Sequence, residues 1–136
     1  GSLYLRYKNK DGKRNGLSRR YYTSGKIKSE VTYKDGKTNG HTYVYYENGD
    51  LQYKGYEING KNEGRHVAYQ ENGQLDFTWE WKDGKPNGLQ ESFYENGNIE
   101  YEQFWKDGKK RGVFVFYSRD NKTVIFQKWK DGIQIE

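Results

Sequence analysis

The sequence predicts an all-β chain: an elongated antiparallel meander of about ten short strands, built from tandem hairpin repeats of 24 residues. Three glycine series predict it. The Gly of a recurring Asp/Asn-Gly phrase stands at Gly12, Gly36, Gly60, Gly84, Gly108 and Gly132, a spacing of 24 every time. A second Gly follows four residues later at Gly16, Gly40, Gly64, Gly88 and Gly112. A third, typified by Glu-Asn-Gly, recurs at Gly25, Gly49, Gly73 and Gly97, with Asn121 in its place at the next step. Three series that share one period without an insertion between them mark tandem duplication. Residues 1–136 form one repeat domain, with copies at about 4–27, 28–51, 52–75, 76–99 and 100–123 and a partial copy at 124–136.

Each element follows from its residues. Asp-Gly and Asn-Gly pairs supply the positive φ that tight hairpin turns demand, so the first and third glycine series are read as turns. The second series, preceded by Asn in most copies, is read as the start of a strand. After each Glu-Asn-Gly turn the pattern alternates, with Ile27, Ser29, Leu51, Tyr53, Leu75, Phe77, Ile99 and Tyr101 separated by Lys28, Gln52, Asp76 and Glu100. A period of two predicts strands with one apolar and one wet face. The strand before that turn carries a ring in every copy, as Tyr21, Tyr45, Tyr69, Phe93 and Tyr117. A second ring column runs through Tyr33, Trp81, Trp105 and Trp129, broken in one copy by Glu57. The first copy departs from the pattern, with Asn9 and Lys10 read as an insertion after Tyr7. No stretch has helical periodicity.

A hydrophobic content of 32% and a mean hydropathy of -1.32 would by themselves favour disorder. The rings reverse that expectation. Fourteen Tyr, six Phe and four Trp make 18% of the chain, and each buries far more area than an aliphatic group. The expected core is a layer of rings stacked along a sheet.

The sequence has no Cys, which excludes disulfides and thiolate chemistry. No run has the roughly 18 apolar residues of a membrane-spanning helix. Gly1 and Ser2, in a chain without Met, are read as a cloning scar, so the compartment is left open between the cytoplasm and a bacterial cell surface or secreted location. No catalytic, cofactor-binding or metal site is expected. The acids Asp35, Asp83, Asp107 and Asp131 recur as turn residues, and His41 and His66 read as ordinary polar strand residues.

The phrase Tyr45, Tyr46, Glu47, Asn48, Gly49, Leu51, repeated as Phe93, Tyr94, Glu95, Asn96, Gly97, Ile99, resembles the MORN-repeat-variant family and its bacterial members called YwqK-type antitoxins. The resemblance covers essentially the whole chain. It implies a repeat scaffold that acts by binding, and the antitoxin name implies neutralisation of a toxin.

The net charge of +5 is unevenly spread. Residues 1–28 hold nine Lys or Arg against one acid, residues 45–103 hold five against twelve, and residues 105–130 hold eight against two. The array is basic, acidic and basic along its length. Alternate turns of a meander lie on opposite rims, which places Lys37, Lys85 and Lys109 on one and Glu47, Glu71 and Glu95 on the other. These rims, with Tyr22, Tyr46 and Tyr94 as the second of two adjacent rings, are the candidate partner-binding residues. A protein partner is expected, with an anionic membrane surface as the alternative reading. Carbohydrate stacking is a lesser alternative, nucleic acid is disfavoured by the acidic middle, and no small-molecule substrate is inferred. The open sheet edges add a further expectation of self-association.

Overall fold

The chain is described here from a computed structural model covering residues 4–5 and 8–136. Gly1 and Ser2, and Tyr7, after which the insertion was expected, lie outside the described residues.

Among the described residues fifteen strands follow one another. First come β1 (Tyr4–Leu5), β2 (Lys8–Lys10), β3 (Lys13–Tyr21) and β4 (Ile27–Lys34). Then come β5 (Lys37–Tyr45), β6 (Leu51–Ile58), β7 (Lys61–Asn62), β8 (Gly64–Tyr69) and β9 (Leu75–Lys82). The last are β10 (Lys85–Phe93), β11 (Ile99–Lys106), β12 (Lys109–Lys110), β13 (Gly112–Tyr117), β14 (Val124–Lys130) and β15 (Ile133–Ile135). All belong to one antiparallel sheet whose main path runs in chain order, with β2, β7 and β12 as short side pairings. The meander is as expected. The strand count exceeds ten because two copies break just before their second Gly, splitting off β7 and β12, and because both ends add short pieces.

The turns have a local cause. At Asp35 and Gly36 both central residues have positive φ, 50° and 82°, which is the type I′ geometry that matches strand twist. At the opposite rim the Gly49 N–H donates to Tyr46 O at 2.9 Å and the Tyr46 N–H to Asp50 O at 2.8 Å, closing a compact turn. Asn121 takes the corresponding place with φ 56°, as Asn can, but there the chain closes one residue later, through Ser118 N–H to Thr123 O.

The second glycine series departs from expectation. Gly64 and Gly112 do begin strands, but Gly16, Gly40 and Gly88 lie inside β3, β5 and β10. The register shifts around Gly40 and Gly88, between the pairs Val31↔Thr42 and Tyr33↔Thr38 and between Trp79↔Gln90 and Trp81↔Pro86. These are bulges: the extra residues bend the strand without ending it.

Directly opposed residues share a face, so the registers define rows that cross the whole sheet. One row runs through Arg20, Ser29, Val44, Tyr53, Ala68, Phe77, Ser92, Tyr101 and Phe116. On the same face a parallel row takes Ser18, Val31, Thr42, Gly55, then Trp79 and Gln90. The opposite face carries Arg19, Glu30, Tyr43, Lys54, Val67, Thr78, Glu91 and Glu102. It is not simply wet. Gln52, Asp76 and Glu100 are half-buried, and only Lys28 of the four intervening positions is exposed. Ion pairs and phenols engage the acids of this face, as in Arg19 Nε to Glu30 at 2.8 Å and Tyr117 Oη to Glu102 at 2.9 Å.

A single layer buries little completely. Among the described residues the buried apolar side chains are Ala68 and Phe114, joined by the polar His66, Thr78 and Gln90. Rings do most of the covering. Trp79 stacks on Trp81 with centroids 5.2 Å apart, Trp79 on Trp105 at 6.3 Å, and Phe114 lies between Trp105 and Trp129 at 6.1 and 5.6 Å.

Candidate functional site

The two rims are stitched by different chemistry, and this fixes what the predicted site residues can do. On the rim of Asp-Gly turns, each turn Gly from Gly36 to Gly132 donates its N–H to a carbonyl of the preceding copy, as Gly60 to Thr38 O at 2.8 Å and Gly108 to Pro86 O at 2.8 Å. The Asn immediately before the bulge Gly accepts from the next turn: Asn39 Oδ1 from Asn59 N–H at 3.1 Å, Asn87 Oδ1 from Asp107 N–H at 3.1 Å. Lys37, Lys85 and Lys109 stand exposed beside these turns, their Cβ atoms facing Gly60, Gly108 and Gly132. They form a spaced cationic row and do not converge on a cavity together.

On the other rim, Tyr22, Tyr46 and Tyr94 each donate a phenol hydrogen bond to a carbonyl of the following copy: Tyr45 O at 2.6 Å, Tyr69 O at 2.7 Å and Tyr117 O at 2.8 Å. The hydroxyls are therefore committed to holding successive turns together. In the copy that lacks this Tyr, Gln70 takes over, its Nε2 donating to Leu75 O and Tyr94 O at 3.2 Å and to Phe93 O at 3.4 Å. That structural duty was not visible in the sequence, because a phenol that bonds 23 residues ahead leaves no local pattern.

The same rim nevertheless gathers several predicted residues around one open depression of about 870 Å³. Tyr46 and Tyr94 form part of its wall, and Glu71, Asp76 and Glu95 bring negative charge. Arg119 closes one end, 3.2 Å from Glu95, with both side chains largely in solvent. Burial raises the Tyr46 phenol above its ordinary range, and Glu71 and Asp76 push it further in the same direction. Glu47 is exposed, and Glu47 and Tyr22 lie outside the depression.

His66 was expected to be an ordinary strand residue, yet it is 2% exposed and fully engaged. Its Nδ1 meets Tyr53 Oη at 2.5 Å, and its Nε2 lies 2.9 Å from Tyr56 O and 3.2 Å from Tyr56 N. The ring fits because residue 55 is Gly: a Cβ there would stand 2.9 Å from Nδ1 and 2.6 Å from the Tyr53 hydroxyl. The signal was present as Gly55 in a 24-residue column that holds Val31, Trp79, Gln103 and Gln127 in the other copies, and was missed. His41, by contrast, is exposed and packs on Tyr56 at 4.8 Å. Among the described residues no three His, Asp or Glu side chains are grouped to hold a metal ion.

Three segments, 14–35, 38–56 and 86–107, match the MORN repeat variant. They coincide with the hairpins β3–β4, β5–β6 and β10–β11, each with its Glu-Asn-Gly-type turn, so the family match and the fold describe the same unit. Outside the match lie residues 1–13, residues 57–85 with Gln70 and His66, and residues 108–136, where the turn at Asn121 is one residue longer. No curated protein matches the sequence. Among solved structures, the chain is similar to a GtfA/B complex bound to UDP and GlcNAc, at 8% identity and TM-score 0.35, covering 93% of this chain and 24% of that one. It is also similar to TarM, at 12% identity and TM-score 0.36, covering 91% of this chain and 20% of that one. The chain thus spans about a quarter or less of those proteins.

Proposed function

We propose that this repeat array is a non-enzymatic module that binds another protein, and that the acidic depression on the Glu-Asn-Gly rim receives a basic surface of that partner. The observation that carries this reading is the convergence of Tyr46, Tyr94, Glu71, Asp76 and Glu95 on one open site in the middle of the array. Rings whose hydroxyls are already bonded offer rigid contact area at low entropic cost, and the carboxylates beside them steer and orient a cationic partner. A repeat scaffold suits this role because its surface is extended and each copy is braced by its neighbours. The toxin-neutralising role that the resemblance implies is one form of such binding.

The test is affinity capture from the source organism with the wild-type chain and with the double variant Glu71→Lys/Glu95→Lys. A partner retained by the first and released by the second is the expected result. Equal retention by both would remove the depression from the contact, and turnover of a substrate by the isolated chain would remove the non-enzymatic reading.

A further inference from the structure

The face opposite the ring cluster changes character in the last copy. The row that carries Glu30, Lys54, Thr78 and Glu102 continues into Val115 and Phe126, directly opposed across β13 and β14. Phe126 is 63% exposed, and those same four polar residues are its counterparts at the 24-residue spacing. Val124, also exposed, stands where the earlier copies have Lys28, Gln52, Asp76 and Glu100. Two residues beyond Glu102 and Val115 along β11 and β13, and on the same face by alternation, come Phe104, 50% exposed, and Val113. Phe104 lines a recess of about 420 Å³ with Asn87, Lys106 and Arg111. An apolar stripe thus crosses the neighbouring strands β11, β13 and β14. Strands lie about 4.8 Å apart, so the stripe is about 10 Å wide, the diameter of one α-helix.

The charges around the stripe are equally uneven. Lys106, Arg111, Lys128 and Lys130 stand exposed at its Asp-Gly end. Among the described residues none of these four makes an ion pair or a side-chain hydrogen bond, although Asp107 and Asp131 share the rim. The acids at the other end are already engaged: Glu100 accepts from Ser92 Oγ and Glu102 from Tyr117 Oη, both at 2.9 Å.

We infer that this stripe is a docking surface for one amphipathic helix of a protein partner, its apolar side on Phe104, Val113 and Phe126 and its Asp or Glu side chains over the four cations. Exposed rings supply anchor area, and cations with unengaged donors receive carboxylates without first giving up a bond. A bilayer takes side chains that protrude into it, whereas Phe104 lines a recess shaped to hold one bulky side chain, which favours a protein. The site shares with the proposed function the premise that the chain binds protein, but it uses the opposite charge and different residues from the acidic depression.

A fluorescein-labelled helical peptide with Leu at alternating three- and four-residue spacing and Glu elsewhere, and its Gln-for-Glu counterpart, test the assignment by anisotropy at low salt. The decisive variant is Val124→Gln/Phe126→Thr, which installs the residues that Gln52 and Thr78 provide in other copies and leaves every charge in place. It should weaken the Glu peptide by about tenfold or more, as should Lys128→Ser/Lys130→Ser. The variant Lys34→Ser/Lys37→Ser removes the same charge from a distant part of the sheet and should change affinity by less than about twofold. Circular dichroism and the urea midpoint confirm that each variant is folded. No binding of the Glu peptide by the wild-type chain, equal binding by Val124→Gln/Phe126→Thr, or an equal loss in the distant variant would overturn the site. So would phosphatidylglycerol vesicles that bind with this same dependence on Phe126 while the peptide does not. A dimer seen by light scattering that dissociates in Val124→Gln/Phe126→Thr, with the peptide unbound, would give the face to a second copy and overturn the helix. Partner capture that is lost with Glu71→Lys/Glu95→Lys, alongside a peptide that ignores Phe126, would leave the proposed function standing while this site falls.

Discussion

One face of this sheet contains two regions built on the same backbone and the same registers, yet they differ in kind. From β3 to β5 the row residues are Ser18, Ser29, Val31, Thr42 and Val44, and a trough remains above them. From β8 to β14 the same positions hold His66, Trp79, Gln90 and Phe114, and the space is filled by rings. Even the polar members of the second region are consumed by packing: Gln90 donates to Tyr101 Oη at 3.0 Å and accepts from Trp105 Nε1 at 3.1 Å. Lys110 lies over the same cluster, 4.2 Å from the Trp129 centroid. A repeat sheet can therefore hold its shape without a packed core in every copy, because the rim bonds recur regardless of what covers the face. One end is left open over small side chains while the other is filled with rings.

The sharpest way to break this contrast is to remove the largest buried ring. Phe114→Ala should cost about 3–5 kcal/mol, the usual range for deleting a buried Phe, whereas Val44→Ala over the trough should cost about 1 kcal/mol or less. Urea midpoints of the two variants give the comparison directly. Similar losses at both positions would mean that the trough region is packed as tightly as the ring region.

Alkali tests the phenols on both faces together. Burial raises Tyr53 and Tyr101 above the ordinary value of 10.0, burial followed by Glu30 raises Tyr45, and the hydrogen bond to Glu102 raises Tyr117. A raised folded-state value means that the folded chain holds its proton more tightly than the unfolded chain. The stability linked to these groups is thus complete below about pH 10 and is lost as pH rises through the folded values. Thermal unfolding should be flat with respect to these groups from neutrality to about pH 9 and then fall. A melting temperature that stays constant well above pH 10 would contradict the assigned environments.

Between the two regions stands Gly55, and substitution there probes the boundary. Gly55→Ala places a methyl 2.6 Å from the Tyr53 hydroxyl and 2.9 Å from His66 Nδ1, so their hydrogen bond must shift or break. The expected cost is about 1–3 kcal/mol, typical of overpacking. Adding His66→Ala to it should restore part of that loss, because the methyl then has room. Two losses that simply add would show that His66 is not what makes residue 55 a glycine.

Much of this fold was legible in the sequence because its instructions are local. Asp35-Gly36 writes its turn in two residues, and alternation through Leu51 to Tyr53 writes the strand. What stayed hidden depends on residues one copy apart. Nothing near Tyr46 announces that its phenol reaches Tyr69 O, and nothing near His66 announces Tyr53 and Gly55. The bulges at Gly40 and Gly88 were misread as strand starts for the same reason, since a glycine between two pleated runs looks alike whether the ladder begins there or bends. Of the candidate site, Tyr46, Tyr94, Glu71 and Glu95 converge in space as a set, whereas Lys37, Lys85 and Lys109 remain a row along a rim.

The smallest expected effect concerns those rim bonds, which both regions share. Tyr94→Phe removes one phenol bond to Tyr117 O and should cost about 1 kcal/mol, the usual net worth of a hydrogen bond whose acceptor keeps partial access to water. Gln70 makes three longer contacts in place of one short one, so Gln70→Tyr exchanges a distributed tie for a single tie at the geometry used in three other copies. It should alter stability by no more than about 0.5 kcal/mol. A large loss on Gln70→Tyr would mean that this copy is not interchangeable with its neighbours, and that the rim bonds are specific to each copy and not a property of the repeat.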